Sequence, residues 1–272
     1  MTKIAIVYYS TYGHTLQLAK EEAAGVEAAG AQVDIFQIPE TLSGEILEKM
    51  HAPPKPSDIP YADLNTLTEY DGILFGFSTR FGTYAAQFKA FWDASGGLWA
   101  SGAFHGKYVG LFLSTGTMGG GQETLARNTI SSFVHHGMIY VPLGYKDAFG
   151  ELANLEEVHG GSPWGAGTFA GADGSRLPSE LEKKVAFTQG KSFAGVVLRA
   201  TSGAANAAAA ETATPAAAPV AAPVAAAAAT EPAAAPAVEK KAAAPAPRAN
   251  QQAAPAKKPA EEKKKFGCCI IM

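Results

Sequence analysis

The 272-residue chain predicts an α/β fold, a doubly wound parallel sheet carried by residues 1–200. Three observations predict it. Short apolar runs of strand length alternate with longer helical segments, the pattern of successive βαβ units with right-handed crossovers. The first run is apolar throughout rather than at every second residue, as a strand buried on both faces requires. Glycine- and hydroxyl-rich loops follow three of the runs, and an open parallel sheet carries its ligands outside the C-terminal ends of its strands.

The elements follow in order. "KIAIVYY" (3–9) is the first strand, and "TLQLAKEEAAGVEAAG" (15–30) a helix of good formers that ends at Gly30. "QVDIFQI" (32–38) is the second strand. "GILFGFS" (72–78) is the third, with "YAAQFKAFWDAS" (84–95) as the helix after it. "KYVGLFLS" (107–114) is the fourth, followed by the helix "ETLARNTISSFVHH" (123–136). "MIYVPL" (138–143) is the fifth strand, and residues 177–200 form a long closing helix. Two stretches depart from the alternation and read as insertions on a five-stranded core. Residues 39–70 hold a short helical piece, "SGEILEKM", and the irregular "HAPPKPSDIP"; residues 144–175 are glycine-rich.

Composition changes at residue 200. Residues 201–260 contain 30 alanines, 9 prolines and no aromatic residue, too little to bury against chain entropy, so 201–262 reads as a disordered linker. A short poly-Ala helix is the one local exception, cut off by the prolines. Charge divides at the same point. Residues 201–272 hold 8 Lys and Arg against 5 Asp and Glu, leaving 14 against 20, or −6, for the domain. A mildly acidic domain argues against nucleic acid as its partner. Both cysteines, Cys268 and Cys269, lie in the last five residues, which removes disulfides, thiolate nucleophiles and cysteine-ligated metal from the domain. The N-terminus lacks the shape of a signal peptide, and no apolar stretch has the length of a membrane span.

The three loops carry the chemistry. "STYGHT" (10–15) stands where the first strand hands over to a helix. Backbone N–H groups are unsatisfied there and the macrodipole is positive, so with the hydroxyls of Ser10, Thr11 and Thr15 the turn is an anion cradle without a cation. Its hydroxyl density exceeds what capping needs. Neither a P-loop nor a G-x-G-x-x-G fingerprint is present. "STRFGTY" (78–84) places Phe81 and Gly82 where a backbone can approach a flat ring. "STGTMGGGQE" (114–123) leaves the main chain bare at Gly116, Gly119, Gly120 and Gly121. Together the loops describe a phosphate pocket beside a slot for a planar group. That is a flavin mononucleotide (FMN) site on a flavodoxin-like sheet of order 2-1-3-4-5 with helices on both faces.

The strings "YYSTYGH", "TRFG", "GGLWASGAFHGK", "STGT", "GGGQE", "HHGM", "VPLGY", "GGSPWGAGTFAG" and "DGSR" occur in this order across nearly all of residues 1–200. In them the chain resembles the WrbA family of flavodoxin-like NAD(P)H:quinone oxidoreductases. Met118 is one residue more than the bacterial pattern carries in its loop. The resemblance implies that Ser10, Thr11, Tyr12, Gly13, His14 and Thr15 hold the FMN phosphate. It implies that Thr79, Arg80, Phe81 and Gly82 line the ring and its polar edge, and that Ser114, Thr115, Gly116, Thr117, Met118 and Gly119 wrap its other side. His135 would reach the flavin from a neighbouring subunit of a dimer or tetramer, and Tyr12 and Trp99 would border the cavity for nicotinamide and quinone. On the residues alone, His135 and His136 read as caps on a helix end, Trp99 as core or an oligomer contact and Trp92 as core, and Trp164 has no assigned place. The implied reaction is two-electron reduction of a quinone by NADH or NADPH. A shared cavity makes it ping-pong, and it bypasses the semiquinone and the oxidative stress that follows from it. No side chain is assigned a catalytic role beyond the flavin's own chemistry. A one-electron flavodoxin-type carrier and a non-catalytic membrane-associated scaffold are the alternatives. The carrier fits less well, because its strongly acidic face and aromatic sandwich are missing.

The last ten residues, 263–272, read as an anchor. "CIIM" is a C-a-a-X pattern that marks Cys269 for farnesylation, which entails loss of the three residues after it; Cys268 is a palmitoylation candidate and Lys263, Lys264 and Lys265 a basic patch. One lipid binds marginally and a second signal makes the anchoring stable. A flexible spacer of this length reaches on the order of 45 Å. The expected location is the cytoplasmic face of a membrane, the plasma membrane in the first instance, with a cytosolic pool.

Overall fold

Successive side chains of each central strand point to opposite faces of the sheet, and the apolar runs therefore feed two cores at once. In the computed structural model, which describes residues 1–213, β1 (Lys3–Tyr8) sends Ala5 and Val7 into one core and Ile4, Ile6 and Tyr8 into the other. β3 (Gly72–Ser78) divides likewise, with Ile73, Phe75 and Phe77 on the first face and Leu74 on the second. The first core is closed by α4 (Ala86–Asp93) and α6 (Gln122–Val134): Phe133 stacks on Phe75, and Phe88 and Trp92 meet it edge-on. Trp92 is thus core, as expected. The second core is closed by α1 (His14–Ala28) and α8 (Glu180–Ala213).

Parallel pairing gives the order β2-β1-β3-β4-β5, with β2 at Gln32–Gln37, β4 at Tyr108–Thr115 and β5 at Ile139–Tyr140. This is the expected order, and the winding reverses between β1 and β3, which puts the loops after those two strands side by side. The remaining helices are short: α2 (Gly44–Lys49), α3 (Leu64–Leu67), α5 (Gly96–Ala100) and α7 (Phe149–Leu152).

Three expectations are corrected. The sheet has six strands, because the glycine-rich insertion contributes β6 (Gly167–Phe169), which pairs with Leu113–Thr115 of β4. The fifth strand is two residues long rather than six. β5 takes the N-terminal part of β4 and β6 the C-terminal part, end to end along one edge. The closing helix runs to Ala213, thirteen residues past the expected boundary at 200. The linker from 214, the anchor segment and Cys268 and Cys269 lie outside the described residues.

Glycine permits two close approaches that matter here. A Cβ on Gly25 would stand 2.1 Å from the Phe187 carbonyl of α8, and one on Gly190 would stand 2.1 Å from the Glu22 carbonyl of α1. The two helices touch backbone to backbone.

Candidate functional site

At the C-terminal edge of the sheet the loops after β1, β3 and β4 converge on a small cavity open to solvent. Ser10, Thr11, Tyr12 and His14 come from the first loop, Thr79 and Arg80 from the second, and Ser114, Thr115 and Gly116 from the third. These nine are among the residues expected there. Ser78 and Ala170 also line it and were missed. Ser78 ends a strand and reads as core. Ala170 follows β6, a strand without a sequence signal.

Gly13 makes the first turn possible. Its φ is +90°, the left-handed region that glycine enters freely, and it directs the chain into α1. No side chain caps α1, so its first-turn N–H groups remain as donors beside the cavity. Ser10 Oγ accepts from Gly13 N at 3.0 Å and stabilises the turn itself. Thr15 is fully buried behind the cavity, where its hydroxyl pairs with Ser114 Oγ at 3.2 Å and ties the first loop to the third. The third loop is braced in turn by Gln122, which donates to Thr115 Oγ1 at 3.3 Å and to the Thr168 carbonyl at 3.0 Å.

Three buried polar atoms facing this region have no hydrogen-bond partner among the described residues: Ser78 Oγ, Thr79 Oγ1 and His14 Nε2. Buried polar atoms are nearly always paired, so an orphaned set at one cavity marks groups held for a ligand. Burial lowers the pKa of His14, which therefore stands neutral at pH 7. Among the described residues that line the cavity, Arg80 is the one cation. Its Nη1 donates to the Thr79 carbonyl at 2.8 Å and its Nη2 lies 3.5 Å from Thr11 Oγ1, so the guanidinium spans the first two loops. Neutral donors dominate and a planar cation stands at the rim, a set that fits the phosphate and polyol of an FMN better than a triphosphate.

Arg80 and Thr11 also belong to a second, wider cleft, walled by Leu42, Met50, Phe81, Tyr84 and Ala86. Phe81 has φ +53° and is 92% exposed, so its ring stands free at the mouth of this cleft. Tyr12 donates its hydroxyl to the Met50 carbonyl at 3.0 Å, which fixes the first loop against the insertion. Gly82, Thr117, Met118 and Gly119 flank the cavity without lining it; Met118 is 69% exposed. Among the described residues no three His, Cys, Asp or Glu side chains stand together as a metal site.

Two expected site residues stand elsewhere. α6 leaves the cavity end of the sheet and runs thirteen residues, or ~20 Å, before His135 follows it. Trp99 is beside His135: its Nε1 donates to the His135 carbonyl at 2.9 Å, and its ring is 60% exposed. A single chain therefore brings neither Trp99 nor His135 to the cavity, and it places Trp99 apart from Tyr12. His136 turns inward, bonds Ser95 Oγ at 3.0 Å and packs on Trp92.

The insertion walls the cavity through one buried carboxylate. Glu182 of α8 is fully buried. It accepts from Thr168 Oγ1 at 2.7 Å, Gly160 N at 2.8 Å and Ser179 N at 2.9 Å, and it pairs with Arg176 at 2.9 Å. These bonds hold residues 160–176, and Ala170 with them, against the sheet. Trp164 packs on the Tyr140 ring within the same insertion.

Fold and cavity together define a flavodoxin-like protein with a cavity at the carboxyl edge of its sheet. Residues 2–146 match the family described as NADPH-dependent FMN reductase. The chain belongs to that family, and the resemblance found in its motifs is borne out. It is 63% identical over 191 residues to "NAD(P)H quinone oxidoreductase PST3" of Candida albicans, covering 70% of this chain and 96% of that protein. It is 58% identical over 197 residues to "Quinone-oxidoreductase QR2" of Triphysaria versicolor, covering 72% and 95%. Among solved structures, the flavodoxin, WrbA-like protein from Agrobacterium tumefaciens superposes with a TM-score of 0.52 at 22% identity, covering 73% of this chain and 99% of that one. This last likeness concerns the fold alone.

Proposed function

We propose that the protein is an NAD(P)H:quinone oxidoreductase that uses FMN to pass two electrons from a reduced nicotinamide to a quinone. The names of its relatives support the reaction. The observation that carries it in this chain is the orphaned trio Ser78, Thr79 and His14 at a cavity built from neutral donors, opening at Arg80 onto an apolar cleft. Bound FMN supplies reversible two-electron chemistry on one planar ring. The chain supplies the rest. The first loop and the start of α1 bind the phosphate. Thr79 and Ser78 donate or accept at the ring's polar side, and Arg80 offers positive charge between cavity and cleft, where an anionic form of a ligand is stabilised. The cleft, with Leu42, Met50, Phe81, Tyr84 and Ala86 among its walls, offers apolar surface to a flat substrate. Nicotinamide and quinone share that space in turn, which makes the kinetics ping-pong and avoids one-electron products that feed oxidative stress.

In an oligomer, His135 and Trp99 of another copy complete the substrate cavity; their joint exposure at the far end of α6 supports this reading. Lipids at Cys269 and Cys268, with the adjacent lysines, tether the domain to the cytoplasmic face of a membrane, where lipophilic quinones partition.

A visible spectrum of the purified protein and steady-state NAD(P)H oxidation with benzoquinone test the proposal together. A flavin spectrum, turnover with either nicotinamide and parallel double-reciprocal lines are expected. A colourless protein refutes the FMN site. A yellow protein that accepts electrons only from a separate reductase refutes the enzyme in favour of a carrier.

A further inference from the structure

The insertion after β2 delivers a cation to the back of the first loop, and neither the sheet nor the proposed chemistry requires one there. Lys55 lies in "APPKP", where flanking prolines stiffen the approach. Its side chain is only 19% exposed. Nζ donates to the Ser10 carbonyl at 2.7 Å, lies 3.4 Å from Glu40 Oε2 and sits 4.5 Å over the Tyr9 ring. Glu40 is already supplied by neutral donors: Tyr9 Oη at 2.9 Å, Gln87 Nε2 at 2.8 Å and the N–H groups of Thr41 and Leu42. The ammonium has three donors, and its shortest bond goes to the loop carbonyl rather than to the carboxylate.

That carbonyl belongs to the peptide unit whose other end is the N–H of Thr11. In a trans peptide the two point in opposite directions, so the Thr11 N–H faces away from Lys55. It has no acceptor among the described residues, and Thr11 lines the cavity. A charged donor on the carbonyl polarises the peptide and makes its N–H a stronger donor.

We propose that Lys55 is a positioning residue for the anion loop: by its bond to the Ser10 carbonyl it orients the Ser10–Thr11 peptide and strengthens the Thr11 N–H toward the phosphate of the flavin. The inference rests on the reading of residues 10–15 as the phosphate site. It predicts a discrimination that a merely structural lysine would not produce, because the one bond from Lys55 to the anion loop falls on the Ser10 carbonyl.

The test is titration of the full chain, freed of flavin, with FMN and separately with riboflavin, followed by quenching of flavin fluorescence. The proteins are wild type, Lys55→Met and Lys55→Gln. Loss of a charge-assisted bond is expected to raise the Kd for FMN about tenfold in Lys55→Met, with the Kd for riboflavin unchanged. Lys55→Gln keeps a donor without the charge and is expected to fall between. Equal weakening of both flavins overturns the proposal in favour of general support of the fold, and an unchanged Kd for FMN overturns it outright. If Lys55→Met does not fold, Lys55→Gln decides by the same comparison. A wild-type protein with no preference for FMN over riboflavin overturns the phosphate assignment itself, and the proposal with it.

Discussion

Replacing Glu22 by Gln should remove a pH dependence from the stability of this fold. Glu22 lies on α1 with no exposed surface, and neither carboxyl oxygen has a partner among the described residues. Burial alone holds its pKa well above the ordinary 4.5. The residue's own backbone touches α8 at Gly190, so the carboxyl sits where two helices meet. It keeps its proton in the folded protein and loses it in the unfolded chain. A raised folded pKa contributes fully below the unfolded value, and the contribution is lost as pH rises from there toward the folded value. Each pH unit in that window costs about 1.4 kcal/mol. Glu22→Gln keeps the shape and removes the proton equilibrium. Urea unfolding of both proteins in excess FMN at pH 5, 6 and 7 reads the effect, since contributions from other groups cancel in the difference. The variant should gain on wild type as pH rises from 5, by up to about 1.4 kcal/mol per pH unit while Glu22 stays protonated in the fold, which is ~2–4 °C in Tm per kcal/mol for a domain of this size. Stability curves that stay parallel across the three pH values would show that Glu22 is not buried as a neutral acid.

Arg176→Met leaves the Glu182 carboxylate buried without its cation. Unfolding should become easier by about 3–5 kcal/mol, and dialysis should strip the flavin from the variant faster than from wild type. Gly190→Ala drives a methyl into the Glu22 carbonyl and should separate α1 from α8, lowering Tm by several degrees in calorimetry with the absorption spectrum of bound flavin retained. Thr79→Val removes a buried hydroxyl held for the ligand, and flavin fluorescence titration should show a Kd about tenfold higher. Cys269→Ser should release the protein from the membrane fraction with turnover on soluble quinone intact, and a loss of turnover would assign the tail a role beyond tethering.

What was legible in the sequence was what local chemistry writes down. Strands buried on both faces must be apolar at every position, which made β1, β3 and β4 plain. A helix start rich in hydroxyls and glycine reads as an anion cradle, which made Ser10, Thr11 and Thr15 plain, while Thr79 and Ser114 came from the family resemblance. The features missed depend on contacts remote in the chain. β6 is three residues, "GTF", and is a strand only because Leu113–Thr115 stands free to pair with it. Lys55 reads as one more surface lysine until the fold lays it on Ser10, forty-five positions away. Ser78 looks like the tail of a buried strand, and its orphaned hydroxyl appears only once the neighbouring loops are placed. Trp99 and His135 come from motifs shared with a family, and a motif does not say which copy of the chain it serves.

The attachment of the cavity wall to α8 has a consequence for biosynthesis. Residues 160–176 are held by Glu182, which a ribosome adds only after every loop of the cavity has been made. Until that helix docks, the nascent domain has its anion loop but not its far wall. Ala170 therefore takes its place on the cavity only once the start of α8 has been made, with residues 183–272 still to come.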